Sequence, residues 1–412
     1  GQSPAGPALT IKVPTEVYDF YRSLDSLLTT ESLAQEEENA KTPPLRYWAQ
    51  ASTLREQYRE AVFPGFTGTE QQISISKVQT FLSKAIVKLE NAVQQGQNRE
   101  TGLFDTYYTN LPVKYQPTGE FTPEGLPYIE VTEFGRHPLP LFLEGQVRGL
   151  KVLTDPEQAR ALHRKVCGSD LYDQPLGMFR VNADLKGESF AIGRARAFTT
   201  GWLENGSIWL HMEYKYLLEL LRTGLYDEFY KAADSALIPA LNPEVYGRRI
   251  LENSSFILSS LNPDRQNHGR GYIARLSGST AEFLSIWAFL SFGPRPFRLE
   301  GNELVYAPEP VLSERFFTEK PQEITVQWEP HSSESIVIPV NAYAYRFLGT
   351  TLVVYHNPER RPTFGQHRVE IHRFELLTRQ GERIKVDGST VPAQLATAIR
   401  NGQMRRIDAF FK

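Results

Sequence analysis

The sequence predicts a mainly α-helical chain with a β-rich tail. Apolar residues recur at helical spacing in several stretches before residue 291, as in helices that bury one face. After Gly293 the sequence changes to short runs rich in β-branched residues, which favour strands. We therefore expect an N-terminal extension with one helix over residues 1–45, a helical portion over 46–291 and a β-sandwich-like domain over 292–412.

About eight helices are predicted along the chain. The third is the clearest, because its apolar residues keep the helical period, Ser76 can cap its start and Gly96 can close its end. The fifth begins after Asp155, since an aspartate before a proline at the first helical position is a start signal, and Gly168 follows its end. The predicted ranges are 15 into the acidic stretch before 43, 47–61, 76–96, 138–153, 156–167, 207–222, 225–236 and 279–290.

The remaining stretches are predicted to be loops and strands. Residues 97–137 lose any period and are rich in Pro, Gly and Tyr, so we expect a loop with short strands there. The tail contains β-rich runs separated by turns such as the one at Asn357 and Pro358. These runs cover 323–328, 335–340, 343–355 and 368–377.

The composition excludes several classes of function. The 412 residues carry a net charge of -3 with both signs mixed throughout, so the chain lacks the basic surface that nucleic-acid binding needs. No apolar stretch approaches the roughly 20 residues that span a bilayer, so we expect a soluble chain that does not enter a membrane. Cys167 is the only cysteine, which excludes an intrachain disulfide and favours a cytoplasmic location. Two glycosylation sequons, at Asn205 and Asn253, would matter only in a secreted protein.

Polar residues that could form a site are concentrated in three segments between residues 194 and 282. In the first, residues 201–211, His211 falls about one turn into a predicted helix, where it could donate to an anion or to a sugar hydroxyl. The spacing alone leaves open the alternative of a half-buried histidine that is satisfied inside the fold. Glu204 in the same segment is a candidate general base.

The other two segments lie further along the chain. Residues 246–256 are by themselves a polar loop. Residues 275–282 have two interpretations. Ser279 with Glu282 three residues later could form a capping box, which any helix can use. Alternatively, small hydroxyl residues and glycine at a helix N-terminus expose backbone N–H groups that bind phosphate.

The order of these segments along the chain is similar to that in a known protein family. Trp-Leu-Glu-Asn-Gly at 202–206 with His211 is followed by Leu-Ser-Gly-Ser at 276–279 on the final helix and then by the β tail. In this order the segments resemble the carboxy-terminal half of the cellobiose and chitobiose phosphorylase family, over about residues 45–330. The resemblance implies part of an (α/α)6 barrel followed by a small β-sandwich. It also implies an inverting glycoside phosphorylase, in which inorganic phosphate attacks the anomeric carbon directly.

The resemblance implies roles for individual residues. His211 matches the phosphate-binding histidine of the family, and Ser277, Gly278 and Ser279 match its Thr-Gly-Thr loop, with serine keeping the hydroxyl donor. No metal and no organic cofactor are expected. The expected substrates are a β-linked gluco-oligosaccharide and inorganic phosphate. The residues expected to contact the sugar are Trp202, Glu204, Asn205, Glu252 and Asn253.

One part of the family pattern is missing. The general acid of the family is an aspartate in a Gly-Asp-Trp-Asn-Asp segment, which does not occur in these 412 residues, so the catalytic acid is unassigned. Half a barrel would also leave apolar helix faces in water. The chain starts at Gly1 without an initiator methionine, which suggests a processed or truncated product. We therefore expect an upstream polypeptide or a partner chain that supplies the acid and completes the barrel.

Two other functions stay open at this point. An inverting hydrolase of the same fold would use Glu204, Glu213 or Glu252 as the base for a water molecule and would be indifferent to phosphate. A non-catalytic sugar-binding or structural subunit would keep aromatic residues that stack on sugars, such as Trp202 and Trp209, without the chemistry.

Overall fold

The fold is given by a computed structural model that describes residues 9–35, 45–249, 251–273, 277–329 and 332–412. The chain divides into two compact units, residues 1–145 and 146–412. The predicted domain boundaries after residues 45 and 291 stay predictions. Three predicted features lie outside the described residues. They are the start of the N-terminal extension, the acidic stretch after the first helix and Leu276 of the Leu-Ser-Gly-Ser motif.

The first unit contains three long helices and two antiparallel strand pairs. The predicted capping residue of the third helix is wrong: Ser74, not Ser76, accepts a hydrogen bond from the Lys77 N–H, because a strand leads directly into the helix. The strands expected within the loop over 97–137 are longer than predicted, since a long, largely exposed β-hairpin occupies most of this stretch. The elements are β1 (Thr10–Pro14), α1 (Thr15–Gln35), α2 (Leu45–Val62), β2 (Glu70–Ser74), α3 (Ile75–Gly96), β3 (Tyr108–Phe121) and β4 (Pro127–Pro138).

The described chain is a mixed α/β fold rather than the mainly α-helical one predicted; within the second unit, most of the helices lie before residue 292. The Asp155 carboxylate caps the fifth helix by accepting from the Glu157 N–H, and Gly168 follows the helix, which confirms both predicted ends. Two short helices, the eighth and the tenth, were not predicted. The helices are α4 (Leu143–Val152, which starts before the unit boundary), α5 (Pro156–Cys167), α6 (Leu210–Arg222), α7 (Tyr226–Ala236), α8 (Pro243–Tyr246), α9 (Ser277–Phe292) and α10 (Ala393–Arg400).

Short strands connect these helices. They are β5 (Tyr172–Asp173), β6 (Met178–Phe179), β7 (Ile208–Trp209), β8 (Phe256–Ile257) and β9 (Gly271–Tyr272). The sixth helix begins three residues later than predicted, at Leu210, because the chain is still extended in β7. Nine of the thirteen residues of α6 are buried, and α6 packs against both α7 and α9. The core of the second unit therefore holds α6 firmly in place.

The β-rich tail is confirmed. Its main element is a five-stranded sheet in the order β14-β15-β18-β16-β17, against which the β12–β13 hairpin packs through Val326 and Ile338. The predicted single run over 343–355 is two strands, because the backbone turns at Leu348 and Gly349, both with positive φ. The strands are β10 (Phe297–Glu300), β11 (Glu303–Tyr306), β12 (Gln322–Glu329), β13 (Ser332–Ile338), β14 (Ala342–Phe347), β15 (Thr351–His356), β16 (Ile371–Thr378), β17 (Arg383–Asp387) and β18 (Met404–Phe411). Among the described helices, none combines the length and apolar character needed to cross a membrane.

Candidate anion and sugar site

A small three-stranded sheet joins the first two polar segments of the sequence. Strand β8, from the second segment, pairs with β7 on one side and with β9 on the other. Strand β7 leads directly into α6, and β9 comes shortly before α9. The first segment thus meets the second along a shared sheet, and the described part of the third segment, from Ser277 on, follows β9 along the chain.

The histidine of the first segment lies against the glycine of the third. His211 is the second residue of α6, and Gly278 is the second residue of α9. A Cβ atom added to Gly278 would lie 2.6 Å from Nδ1 of the His211 ring, so only glycine leaves room for the ring in this position. The structure therefore places three of the predicted phosphate-binding residues, His211, Gly278 and Ser279, at the adjoining starts of two helices. Ser277, the fourth, is the first residue of α9.

This position suits an anion. The first backbone N–H groups of a helix have no partner within the helix, and they carry the positive end of its dipole. The starts of α6 and α9 adjoin here, although the first N–H of α6, that of Leu210, already donates to the Ser255 carbonyl. The predicted capping box is not formed, because α9 already begins at Ser277 and Ser279 lies inside its first turn, buried to 3% exposure. Glu282 instead lies near the histidine, with 3.8 Å between its Oε1 and Nε2 of His211.

The His211 ring is half-buried and electrically neutral near pH 7. Burial lowers the pKa of His211, the positive charge of Lys215 lowers it further, and Glu282 acts in the opposite direction. A neutral imidazole carries one N–H donor and can give one hydrogen bond to an anion or a hydroxyl group. With 41% of its side chain exposed, His211 is accessible to a ligand.

The loop before β7 is fixed by internal hydrogen bonds. Asn205 is fully buried; its Oδ1 accepts from the Leu185 N–H, and its Nδ2 donates to the Phe198 carbonyl. Asn182, which the sequence did not single out, donates to the Glu204 carbonyl and accepts from the Gly206 N–H. Both amides are used inside the fold, so they set the shape of the loop that presents Trp202 and Glu204.

Two other residues predicted to contact the sugar have an aromatic ring or a carboxylate oxygen that could still bind a ligand. Trp202 is half-buried and packs edge-to-face on Phe256 and Tyr272, with ring centroids 4.9 and 4.7 Å apart. Glu204 accepts from Arg194 through one oxygen at 2.8 Å, while its buried Oε2 has no hydrogen-bond partner among the described residues. Buried oxygens of this kind ordinarily have a donor, so a ligand hydroxyl group would complete the hydrogen bonding.

The second segment also contains a buried oxygen without a hydrogen-bond partner among the described residues. Glu252 forms an ion pair with Arg248, whose Nε donates to the Gly271 carbonyl in β9 at 3.0 Å. Asn253 has a buried Oδ1 that lacks a hydrogen-bond partner in the described part of the chain. The neighbouring Tyr246 hydroxyl donates to the Glu252 carbonyl at 2.7 Å, so the backbone here is held in place. The second segment thus offers a fixed acceptor beside a sheet strand.

Glu213, the other base candidate of the sequence, is fully buried beneath this site. Its Oε1 accepts from the Phe179 N–H at 2.8 Å, and burial raises the pKa of the carboxyl well above its ordinary value of 4.5. Burial disfavours the ionised form of this carboxyl and keeps it away from water, which makes it unsuitable as a general base.

Glu213→Gln is expected to change how stability depends on pH. Because the folded protein holds this proton to higher pH than the unfolded chain, the free energy of unfolding of the wild type falls as pH rises above 4.5. The glutamine keeps the acceptor for Phe179 and does not titrate. Urea unfolding at about pH 5 and about pH 8 should show the variant gaining stability relative to the wild type at the higher pH. Parallel pH curves for the two proteins would contradict this account of Glu213.

Neither a protein-family model nor a curated protein matches this chain. The candidate site is therefore described from its own residues: the adjoining starts of α6 and α9, and acceptor oxygens of Glu204 and Asn253 that have no partner among the described residues. No group of three or more His, Cys, Asp and Glu side chains in the described ranges is arranged to hold a metal ion.

Proposed function

We propose that this chain is a carbohydrate-active protein and the phosphate-binding part of an inverting glycoside phosphorylase for β-linked gluco-oligosaccharides. The observation that supports this most is the His211 ring lying against Gly278 at the start of α9. The proposal includes that the helices of the second unit belong to an (α/α)6 barrel and that the tail is its β-sandwich. It further includes that an upstream polypeptide or partner chain supplies the general acid.

In the proposed reaction, the start of α9 and His211 hold inorganic phosphate beside the anomeric carbon of the sugar. A phosphate oxygen forms the new bond to that carbon, while the bond to the glycosidic oxygen breaks and its electron pair stays on the oxygen. The general acid protonates that oxygen, which leaves as the hydroxyl of the shortened sugar. The products are a sugar 1-phosphate of inverted configuration and an oligosaccharide one unit shorter.

The sugar is proposed to bind along the small sheet. Trp202 offers a half-buried aromatic ring, and the free oxygens of Glu204 and Asn253 accept hydrogen bonds from hydroxyl groups. Asn205 contributes through the shape of its loop, since its amide is already fully used. A bound sugar would thus satisfy two buried oxygens that the chain leaves without donors among its described residues.

A covering element is proposed because α9 is apolar on every side. Such a helix is ordinarily buried all round. Here Leu284 is 61% exposed, and Phe283 and Trp287 are partly exposed. An upstream segment or partner chain that packs on this face would bury these side chains and could place its acid beside the site.

The hydrolase alternative has less support from the side chains. Glu213 is buried, which raises the pKa of its carboxyl, while Glu204 and Glu252 are both paired with arginines. A hydrolytic base also has no need of the anion position at the start of α9. We therefore favour phosphate over water as the nucleophile.

The test is whether product formation depends on phosphate. Native material is first checked by intact mass and gel for a co-purifying polypeptide, and is then incubated with β-linked gluco-oligosaccharides with and without inorganic phosphate. A sugar 1-phosphate that forms only with phosphate is the expected product. Release of free sugar regardless of phosphate would identify a hydrolase. Oligosaccharide binding without any turnover, in material that contains every co-purifying chain, would identify a non-catalytic subunit.

A further inference from the structure

Lys215 lies one helical turn after His211 on α6. Residues four apart share a helix face, so the two side chains are neighbours. On the first part of α6 only His211, Met212 and Lys215 escape full burial. The face that carries His211 toward the start of α9 thus also carries a lysine.

Lys215 differs from Arg194 and Arg248, the two arginines that contact predicted sugar-binding residues. Arg194 is paired with Glu204, and Arg248 is paired with Glu252. At the far end of α6, both Lys151 and Arg222 contact Glu219. Lys215 makes no hydrogen bond and no ion pair with any residue in the described ranges. Its ammonium group thus has no ion-pair partner among the described residues, and an anionic ligand would supply one.

The charge of the site also calls for a cation. Helix starts contribute only partial charges, and His211 is neutral near pH 7, whereas inorganic phosphate carries between one and two negative charges there. The nearest carboxylate to the ring, that of Glu282, would repel phosphate. A full positive charge close to His211 offsets that repulsion.

We infer that Lys215 binds the phosphate together with His211 and the start of α9, and that it supplies the full positive charge of the site. This inference rests on the proposed function and adds a residue to its phosphate contacts. Lys215 acts as a point charge, while the backbone N–H groups and the imidazole fix the orientation of the phosphate oxygens.

The test compares phosphate binding by the wild type, Lys215→Gln and Lys215→Arg, measured by calorimetric titration of inorganic phosphate at low salt. Loss of the charge is expected to weaken binding by about tenfold, and arginine should retain most of the affinity. Lys231→Gln, an exposed lysine on α7, is the matched control and should leave binding unchanged. Thermal unfolding without phosphate should be alike for all four proteins, because Lys215 has no internal partner in the described chain to lose.

A second readout separates a ligand contact from a merely structural role. The Lys215 charge lowers the pKa of His211, so Lys215→Gln should raise that pKa in an NMR titration of the histidine rings. If Lys215→Gln binds phosphate as tightly as the wild type while a His211 variant does not bind it, the inference is overturned and the proposed function stays intact. A wild type that does not bind phosphate at all would overturn the proposed function, and the inference with it.

Discussion

His211→Asn is expected to weaken the binding of inorganic phosphate by roughly 10- to 100-fold, because a hydrogen bond to a charged group contributes about 1.5–3 kcal/mol. The side chain lies at the start of α6 and against the start of α9, so its loss removes a donor from the centre of the proposed site. Asparagine keeps a polar group of smaller reach. Calorimetric titration with phosphate measures the change directly.

The matched control for this variant is His367→Asn. His367 is an exposed histidine of the C-terminal region and lies on a different part of the chain from α6 and α9. The His367→Asn variant should bind phosphate with the same affinity as the wild type. Equal loss of affinity in both variants, or in neither, would mean that phosphate does not bind at the starts of α6 and α9.

Gly278→Ala is expected to reduce both stability and phosphate binding. The new Cβ atom would overlap the His211 ring at 2.6 Å, so either the ring or the start of α9 must move. Overpacking of this kind costs about 1–3 kcal/mol. Because the clash displaces the ring itself, phosphate affinity should fall to the level of the His211 variant. Thermal unfolding and phosphate titration report the two effects separately.

A double variant shows whether the clash is the cause. In Gly278→Ala with His211→Ala the ring is gone, so most of the lost stability should return while phosphate binding stays weak. Gly187→Ala is the control, because an added Cβ there meets no atom within 4 Å. Additive losses of stability in the double variant would rule out the overlap between residue 278 and the ring.

The helices could be predicted because their signals are local. Caps such as Asp155 and the apolar period of α6 act over a few residues and appear directly in the sequence. The hairpin of β3 and β4 could not be predicted in this way. Its strands are largely exposed and contain prolines, so they lack the buried alternation that indicates a strand, and they are held by pairing with each other.

The sequence predicted the individual residues of the candidate site but not how they come together. The sequence singled out His211 and residues 277–279, but no spacing rule places a ring on one helix against a glycine on another. That proximity depends on the β7–β8–β9 sheet, whose strands of two residues carry almost no sequence signal. Lys215 was within reach of the sequence, since a cation four residues after a candidate histidine on a helix shares its face. The hydrogen bonds that Asn205 makes within the fold could not be predicted, because their partners come from other loops.

The most direct test of the central claim is a crystal structure of the chain soaked in inorganic phosphate. The account predicts a phosphate whose oxygens lie about 2.7–3.0 Å from a ring nitrogen of His211 and from backbone N–H groups at the start of α9, with Lys215 close by. Phosphate bound at other positions, with the starts of α6 and α9 left empty, would contradict it.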